Sequence, residues 1–188
     1  PMVRFSLASG EVIDTHLPGI YNFENIQLAI AVGKFFQLSD EQCTTGISTY
    51  IPNNHRSQFI KIGSNQVLMD AYNANPSSMS AAISHFAATD GEPKLLILGD
   101  MFELGDSTAE EHASLGELIA GLSFEKVLLV GEYMQHALLH LPSAYYFPDK
   151  FGLHTWLQDH PIHNCFLLVK GSRGIQLESV LAFLENSK

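Results

Sequence analysis

The feature that most constrains this chain is an alternation. Short apolar runs, Val67-Leu68-Met69, Leu95-Leu96-Ile97-Leu98, Val127-Leu128-Leu129-Val130 and Phe166-Leu167-Leu168-Val169, recur between stretches with helical spacing. The run at Lys94–Leu98 is continuous rather than alternating, the signature of a strand buried on both faces. Strands separated by helices need crossover connections, and these are right-handed. The spacing therefore predicts an α/β fold with a mostly parallel sheet and flanking helices. Strand-end loops then converge on one edge, where such sheets bind ligands.

The densest polar loop lies in Val67-Leu68-Met69-Asp70-Ala71-Tyr72-Asn73-Ala74-Asn75-Pro76-Ser77-Ser78-Met79. It places Asp70, Tyr72, Asn73 and Asn75 between a strand's end and a helix start. Asn75 suits an N-cap and Pro76 the first helical position. A helix N-terminus favours an anion, although Asx turns and caps use the same residues. The other strand-end loops are Gly99–Gly105, with Asp100 and Glu103; Gly131-Glu132; and Lys170-Gly171-Ser172-Arg173, with two cations among flexible glycines. Together they form a cleft suited to a zwitterionic or anionic substrate.

Upstream, residues 3–17 read as a hairpin turning at Ser9-Gly10, with its sheet partners expected upstream of Pro1. After Pro18-Gly19, Ile26, Ala29, Ile30 and Gly33 mark a helix that Asn22 would cap, which puts Asn25 in its first turn. Ser39-Asp40-Glu41-Gln42 is a capping box opening a helix to about Tyr50. Residues 51–55 are a linker, with the domain boundary between 53 and 54. Arg56 follows; an Arg at such a junction can clamp a phosphate, or lie solvated. Strands follow at 58–62, 67–69, 94–98, 127–131, 144–147 and 165–169. The intervening helices are expected at 76–88, from a capping box at Ser107–Glu110 to about 122, at 132–139 and at 150–159. A final helix should run to about 186.

Composition removes several classes. With 188 residues, the chain has room for one domain and part of another. A net charge of −10, with only ten Lys and Arg, argues against nucleic acid or an anionic membrane surface as partner. Cys43 and Cys165 lack metal-type spacing and read as reduced core thiols of a cytoplasmic protein. No apolar run of about 18 residues suggests a membrane span, and no signal peptide is visible. Phosphate-loop, dinucleotide and nucleophile-elbow motifs are missing from the sequence. His136 and His140, four apart, could chelate a metal, but no Glu follows His136 and the strand-end edge lies elsewhere, so no metal site is expected. Phe151, Trp156 and Leu157 read as helix packing.

Three motif groups carry a family resemblance. They are Tyr21-Asn22-x-x-Asn25 with Arg56; Asp70-Ala71-Tyr72-Asn73-Ala74-Asn75-Pro76-x-Ser78-Met79; and Leu98-Gly99-Asp100-Met101-x-Glu103-Leu104-Gly105, with His112 beyond, joined by Val169-Lys170-Gly171-Ser172-Arg173. In this order they resemble the carboxyl-terminal half of the Mur ligases. The resemblance implies that residues 1–53 are the tail of a central ATPase domain, a β-hairpin plus two helices. It makes residues 54–188 a Rossmann-like carboxyl-terminal domain. It implies an ATP-dependent amide ligase that adds D-alanyl-D-alanine to UDP-N-acetylmuramoyl-tripeptide through an acyl phosphate. The cofactors would be ATP and Mg²⁺, with the metal ligands upstream. The enzyme would be a cytoplasmic monomer, and residues 1–188 alone would be inactive.

Carried over, Asn22, Asn25, Arg56, Asp70 and Tyr72 would bind the nucleotide, and Arg56, Asn73 and Asn75 would serve catalysis. Asp100, Glu103, Lys170, Ser172 and Arg173 would hold the acceptor. Tyr21 stands where the family commonly has His, which puts any role of a titrating imidazole there in doubt. Another Mur-type or polyglutamate ligase, or a non-catalytic ligand-binding module, would also fit the residues.

Overall fold

The computed structural model describes residues 2–53, 56–91 and 93–185. Asn54 and His55 of the expected linker, and residue 186 at the expected end of the last helix, lie outside them. Two compact units divide the chain, residues 1–58 and 59–188.

In the first unit β1 (Met2–Ser6) pairs antiparallel with β2 (Val12–Pro18), placing Phe5 opposite Ile13. Val3 packs with Ile26 of α1 (Asn22–Phe35) and Ile47 of α2 (Asp40–Thr49) to form a small core. Ser39 caps α2 with the expected reciprocal bonds to Gln42. Asn22 does not cap α1. The capping position is Tyr21, in helical conformation and without a side-chain bond. Asn22 is instead the first helical residue, buried, and its Nδ2 donates to the Pro18 carbonyl at 2.6 Å. The carboxamide thus ties the helix to the end of β2. The expected boundary at 53/54 leaves Arg56 and Ser57 downstream; here the Tyr21 and Ser57 hydroxyls lie 3.2 Å apart within the first unit.

The second unit is built on a six-stranded sheet. Its strands are β3 (Gln58–Ile62), β4 (Asn65–Asp70), β5 (Lys94–Gly99), β6 (Lys126–Val130), β7 (Tyr145–Phe147) and β8 (Phe166–Lys170). Their spatial order is β3-β4-β8-β5-β6-β7. Pairings from β4 to β7 are parallel. The two-residue connection Gly63-Ser64 can only turn β3 back against β4. The continuous apolar strands occupy the middle, and all six residues of β5 are buried.

Each strand splits its side chains between two cores. Leu68, Leu96, Leu98, Leu129 and Leu168 face α3 (Pro76–Ala88) and α4 (Thr108–Ala120), through Phe86, Ile83, Leu115 and Ile119. Val67, Met69, Ile97, Leu128 and Val169 face the other side. There they meet Leu153 and Leu157 of α5 (Lys150–Asp159) and Leu184 of α6 (Leu181–Glu185).

Five local expectations need correction. Ser107 forms no capping box, because a 3₁₀ turn over Gly105–Ser107 leads straight into α4. Ser107 is therefore already helical, and its hydroxyl donates back to the Leu104 carbonyl at 2.8 Å. Tyr133–Leu139 is 3₁₀ rather than α-helical. The stretch is short and followed closely by Pro142, and its tight 3₁₀ turns close locally. The segment after β8 makes two 3₁₀ turns, broken at left-handed Gln176, before α6. Lastly, Phe151 on α5 is 66% exposed rather than packed, and Cys165 is half-buried just before β8, whereas the other free thiol, Cys43, is buried.

Candidate functional site

At the edge where the parallel strands end, β8 sits between β4 and β5. The chain leaves β4 and β5 toward the α3 and α4 face, and leaves β8 toward the α6 face. Neighbouring loops that part to opposite faces open a crevice, the switch point at which such sheets bind ligands. Here it lies over the end of β8, at Lys170.

Pairing register sets Asp70 opposite Lys170. The Lys170 ammonium donates to Asp70 Oδ2 at 2.6 Å and to the Asn73 carbonyl at 3.3 Å, with its side chain only 2% exposed. Three residues on, the exposed Arg173 guanidinium lies over the Tyr72 ring, 5.0 Å from its centroid. Two cation contacts thus join the loop after β4 to the loop after β8. Gly171 is not a flexible hinge: a Cβ there would lie 2.9 Å from the Gly99 Cα, so its lack of a side chain lets two strand ends approach.

On the other side of Lys170, the loop after β5 is held by backbone and imidazole. Ser172 N–H donates to the Asp100 carbonyl at 3.0 Å, and Ser172 Oγ accepts from Phe102 N–H at 3.0 Å. The Asp100 carboxylate is buried against Gly131 and accepts from Met134 N–H at 2.9 Å. Burial raises its pKa, opposed by the Tyr133 and Met134 N–H groups. His112, fully buried on α4, accepts from Met101 N–H at 3.1 Å through Nε2, and its Nδ1 donates to the Thr108 carbonyl at 2.7 Å. Burial lowers its pKa, consistent with a neutral ring. A cavity of about 350 Å³ opens here, lined by Asp100, Phe102, Gly131, Glu132, Asp149 and Gly174 among others.

Asn75 caps α3 as its spacing predicts: its Oδ1 accepts from Ser78 N–H at 2.8 Å and from Ser77 Oγ at 3.0 Å. Asn73 is exposed beside it, and Glu103 is exposed at a left-handed position of the loop after β5. The structure therefore brings Asp70, Asn73 and Lys170 together, Tyr72 with Arg173, and Asp100 with Ser172. His112 and the N–H groups of Tyr133 and Met134 were not among the expected site residues. One signal could have found His112: it lies on the stripe His112, Leu115, Gly116, Ile119, and a polar ring on a buried face must have partners.

Within the first unit, a cavity of about 510 Å³ between α1 and α2 is lined mainly by apolar side chains, with Asn22, Asn25 and Arg56 among its polar ones. Asn25 Nδ2 donates to Asn22 Oδ1 at 3.1 Å, which leaves the Asn25 carboxamide oxygen as an acceptor at the cavity. Among the described residues, no three His, Cys, Asp or Glu cluster to hold a metal, and no helix is long and apolar enough to cross a membrane.

Residues 55–173 match the family described as Mur ligase, glutamate ligase domain. The chain belongs to the Mur ligase family. The UDP-N-acetylmuramoyl-tripeptide–D-alanyl-D-alanine ligase of Bacillus subtilis is 32% identical over 177 residues, covering 90% of this chain and 39% of that protein. The ligase of the same name from Treponema pallidum is 31% identical, covering 97% and 41%. Among solved structures, MurF from Acinetobacter baumannii matches with a TM-score of 0.82 at 29% identity, over 97% of this chain and 42% of that one. The chain spans about two fifths of the length of the curated relatives that it matches.

Proposed function

We propose that the chain is part of an ATP-dependent ligase that joins D-alanyl-D-alanine to UDP-N-acetylmuramoyl-tripeptide in peptidoglycan synthesis. The observation that carries this reading is the likeness of nine tenths of the chain, at 32% identity, to a ligase of that specificity. The chemistry has two steps. The tripeptide carboxylate attacks the γ-phosphorus of ATP, giving an acyl phosphate and ADP. The dipeptide amine, deprotonated from its ammonium, then attacks the acyl carbon; phosphate leaves and the nitrogen loses a second proton to water, forming the amide.

The cavity of the first unit suits a purine: apolar walls take the ring, while the Asn25 carboxamide reads its edge. Asn22 holds Asn25 in place, and Arg56 provides a cation for phosphate oxygens. Arg56 thus stabilises charge on the transferring phosphoryl group. Asp70 and Tyr72 are proposed nucleotide contacts of the second unit, and Asn73 and Asn75 proposed catalytic ones. Mg²⁺ would be held chiefly by the ATP phosphates with one or two protein ligands; among the described residues no three His, Cys, Asp or Glu cluster. The acceptor's ammonium fits the exposed carboxylates of Glu132, in the cavity that buried Asp100 shapes, and of Glu103 on the loop after β5. Its carboxylate fits Arg173, on the loop whose shape Ser172 fixes.

Small molecules are then the partners, the enzyme acts as a monomer, and a UDP-linked substrate with ATP belongs to the cytoplasm. Residues 1–188, which contain no phosphate loop, would not turn ATP over alone.

The test is phosphate release by the ligase carrying this chain, supplied with ATP, UDP-N-acetylmuramoyl-tripeptide and a panel of amines. D-alanyl-D-alanine should be the best acceptor. A better rate with a single amino acid or with glutamate would overturn the reading.

A further inference from the structure

We infer that Lys170 is a positioning residue, which fixes the loop after β4 from below rather than meeting the acceptor with its charge. For its kinetic consequences the inference rests on the ligase reading; its structural content does not.

Three observations carry it. The Lys170 side chain is 2% exposed, too deep to reach a ligand without loop movement. It already holds two oxygens on one neighbouring segment, the Asp70 carboxylate at the strand end and the Asn73 carbonyl three residues on. Those two points span the turn that presents the exposed Asn73 side chain and leads into the Asn75 cap of α3. Register makes the pair unavoidable, because Lys170 and Asp70 end adjacent parallel strands at the same level. A buried point charge with rotating donors suits this place better than a planar fork.

Removing the ammonium leaves the Asp70 carboxylate, 14% exposed, without this partner, and the Asn73 carbonyl without this donor. The loop should loosen and lose alignment, and misplacement of about 1 Å can cost roughly a hundredfold in rate. Loss of a positioning group should appear in kcat. Loss of a binding cation should appear in the KM of the dipeptide.

The experiment has two arms. In the ligase carrying this chain, Lys170→Met should lower kcat roughly a hundredfold and leave the KM for D-alanyl-D-alanine within about twofold. Lys170→Arg should fail to restore it. A tenfold or greater rise in that KM with kcat unchanged would overturn the inference. Hydrogen exchange in the same ligase decides the structural part. Amides 71–75 should exchange at least about tenfold faster in Lys170→Met, with β5 amides unchanged; equal rates in the loop would overturn it. Should Lys170→Met not fold, Asp70→Asn keeps a neutral acceptor, and its loop amides must show the same direction of change. If the parent enzyme does not use D-alanyl-D-alanine, the ligase reading falls, while the exchange arm still judges Lys170.

Discussion

The imidazole of His112 accepts a hydrogen bond from the backbone N–H of Met101, 3.1 Å away, from a fully buried position on α4. With Nδ1 donating to Thr108, only the neutral ring serves both contacts. A protonated ring would set Nε2–H against Met101 N–H. The Met101 contact therefore stabilises the loop that carries Asp100, and does so in a pH-dependent way.

Burial lowers the pKa of folded His112 below its ordinary 6.5, so the unfolded chain binds the proton more readily. The stabilisation should be full above about 6.5 and should fade as pH falls through that value toward the lower folded one. His85 and His154 are lowered in the same direction, also by burial, so the wild-type curve alone does not isolate His112. The difference between wild type and His112→Phe does. Denaturant unfolding between about pH 8 and about pH 5 should show that difference shrinking as pH drops. A difference independent of pH would refute the assignment. Asp100 acts with opposite sign: burial raises its carboxyl pKa, so its contribution falls as pH rises from about 3.8.

Arg56 is exposed at the cavity of the first unit. Arg56→Ala should leave unfolding free energy within about 0.5 kcal/mol, as for most surface positions. In the intact ligase it should lower kcat by roughly a hundredfold to a thousandfold, the usual loss of a group that stabilises transition-state charge. Steady-state kinetics and thermal unfolding, run on one preparation, separate the two effects. Parallel losses in both would make Arg56 a structural residue.

How much of this was legible beforehand depended on whether the deciding interaction was local. Asn75, Pro76 and Ser78 declare the start of α3 because a cap is settled within four residues. The continuous run Lys94–Leu98 declares a two-sided strand because burial on both faces leaves no polar positions. Asn22 misled, since its carboxamide is used four residues back, on Pro18, in place of a free helix N–H. Ser107 misled because left-handed Gly105 starts a 3₁₀ turn ahead of it. Family motifs pointed to Asp70 and Lys170 singly. Only the sheet order, with β8 inserted beside β4, reveals that they face one another across 100 residues.

Gly116 lies where α4 crosses the 3₁₀ segment Tyr133–Leu139, and a Cβ there would run into the Ala137 carbonyl oxygen. Helix propensity alone favours Ala over Gly by about 1 kcal/mol. Backbone cannot yield as a side-chain tip can, so the steric cost should win. Gly116→Ala is expected to destabilise by about 1–3 kcal/mol, measurable as a lower denaturation midpoint with unchanged slope. A stabilised variant would mean that the two segments separate freely.

Arg173, unlike Lys170, is exposed and parked over Tyr72. A cation–π contact at an exposed site is worth about 0.5–1 kcal/mol, so the guanidinium can leave the ring for a carboxylate at small cost. A charge-assisted bond to that carboxylate contributes about 1.5–3 kcal/mol. Arg173→Ala should therefore raise the KM for D-alanyl-D-alanine roughly tenfold to a hundredfold, with kcat and unfolding midpoint nearly unchanged. Tyr72→Leu, which removes the ring beneath the guanidinium, should move that KM by less than about fivefold. If Tyr72→Leu matched Arg173→Ala, the stacked pair rather than the freed guanidinium would be the binding element, and the acceptor's carboxylate would have to be held elsewhere on the loops around β8.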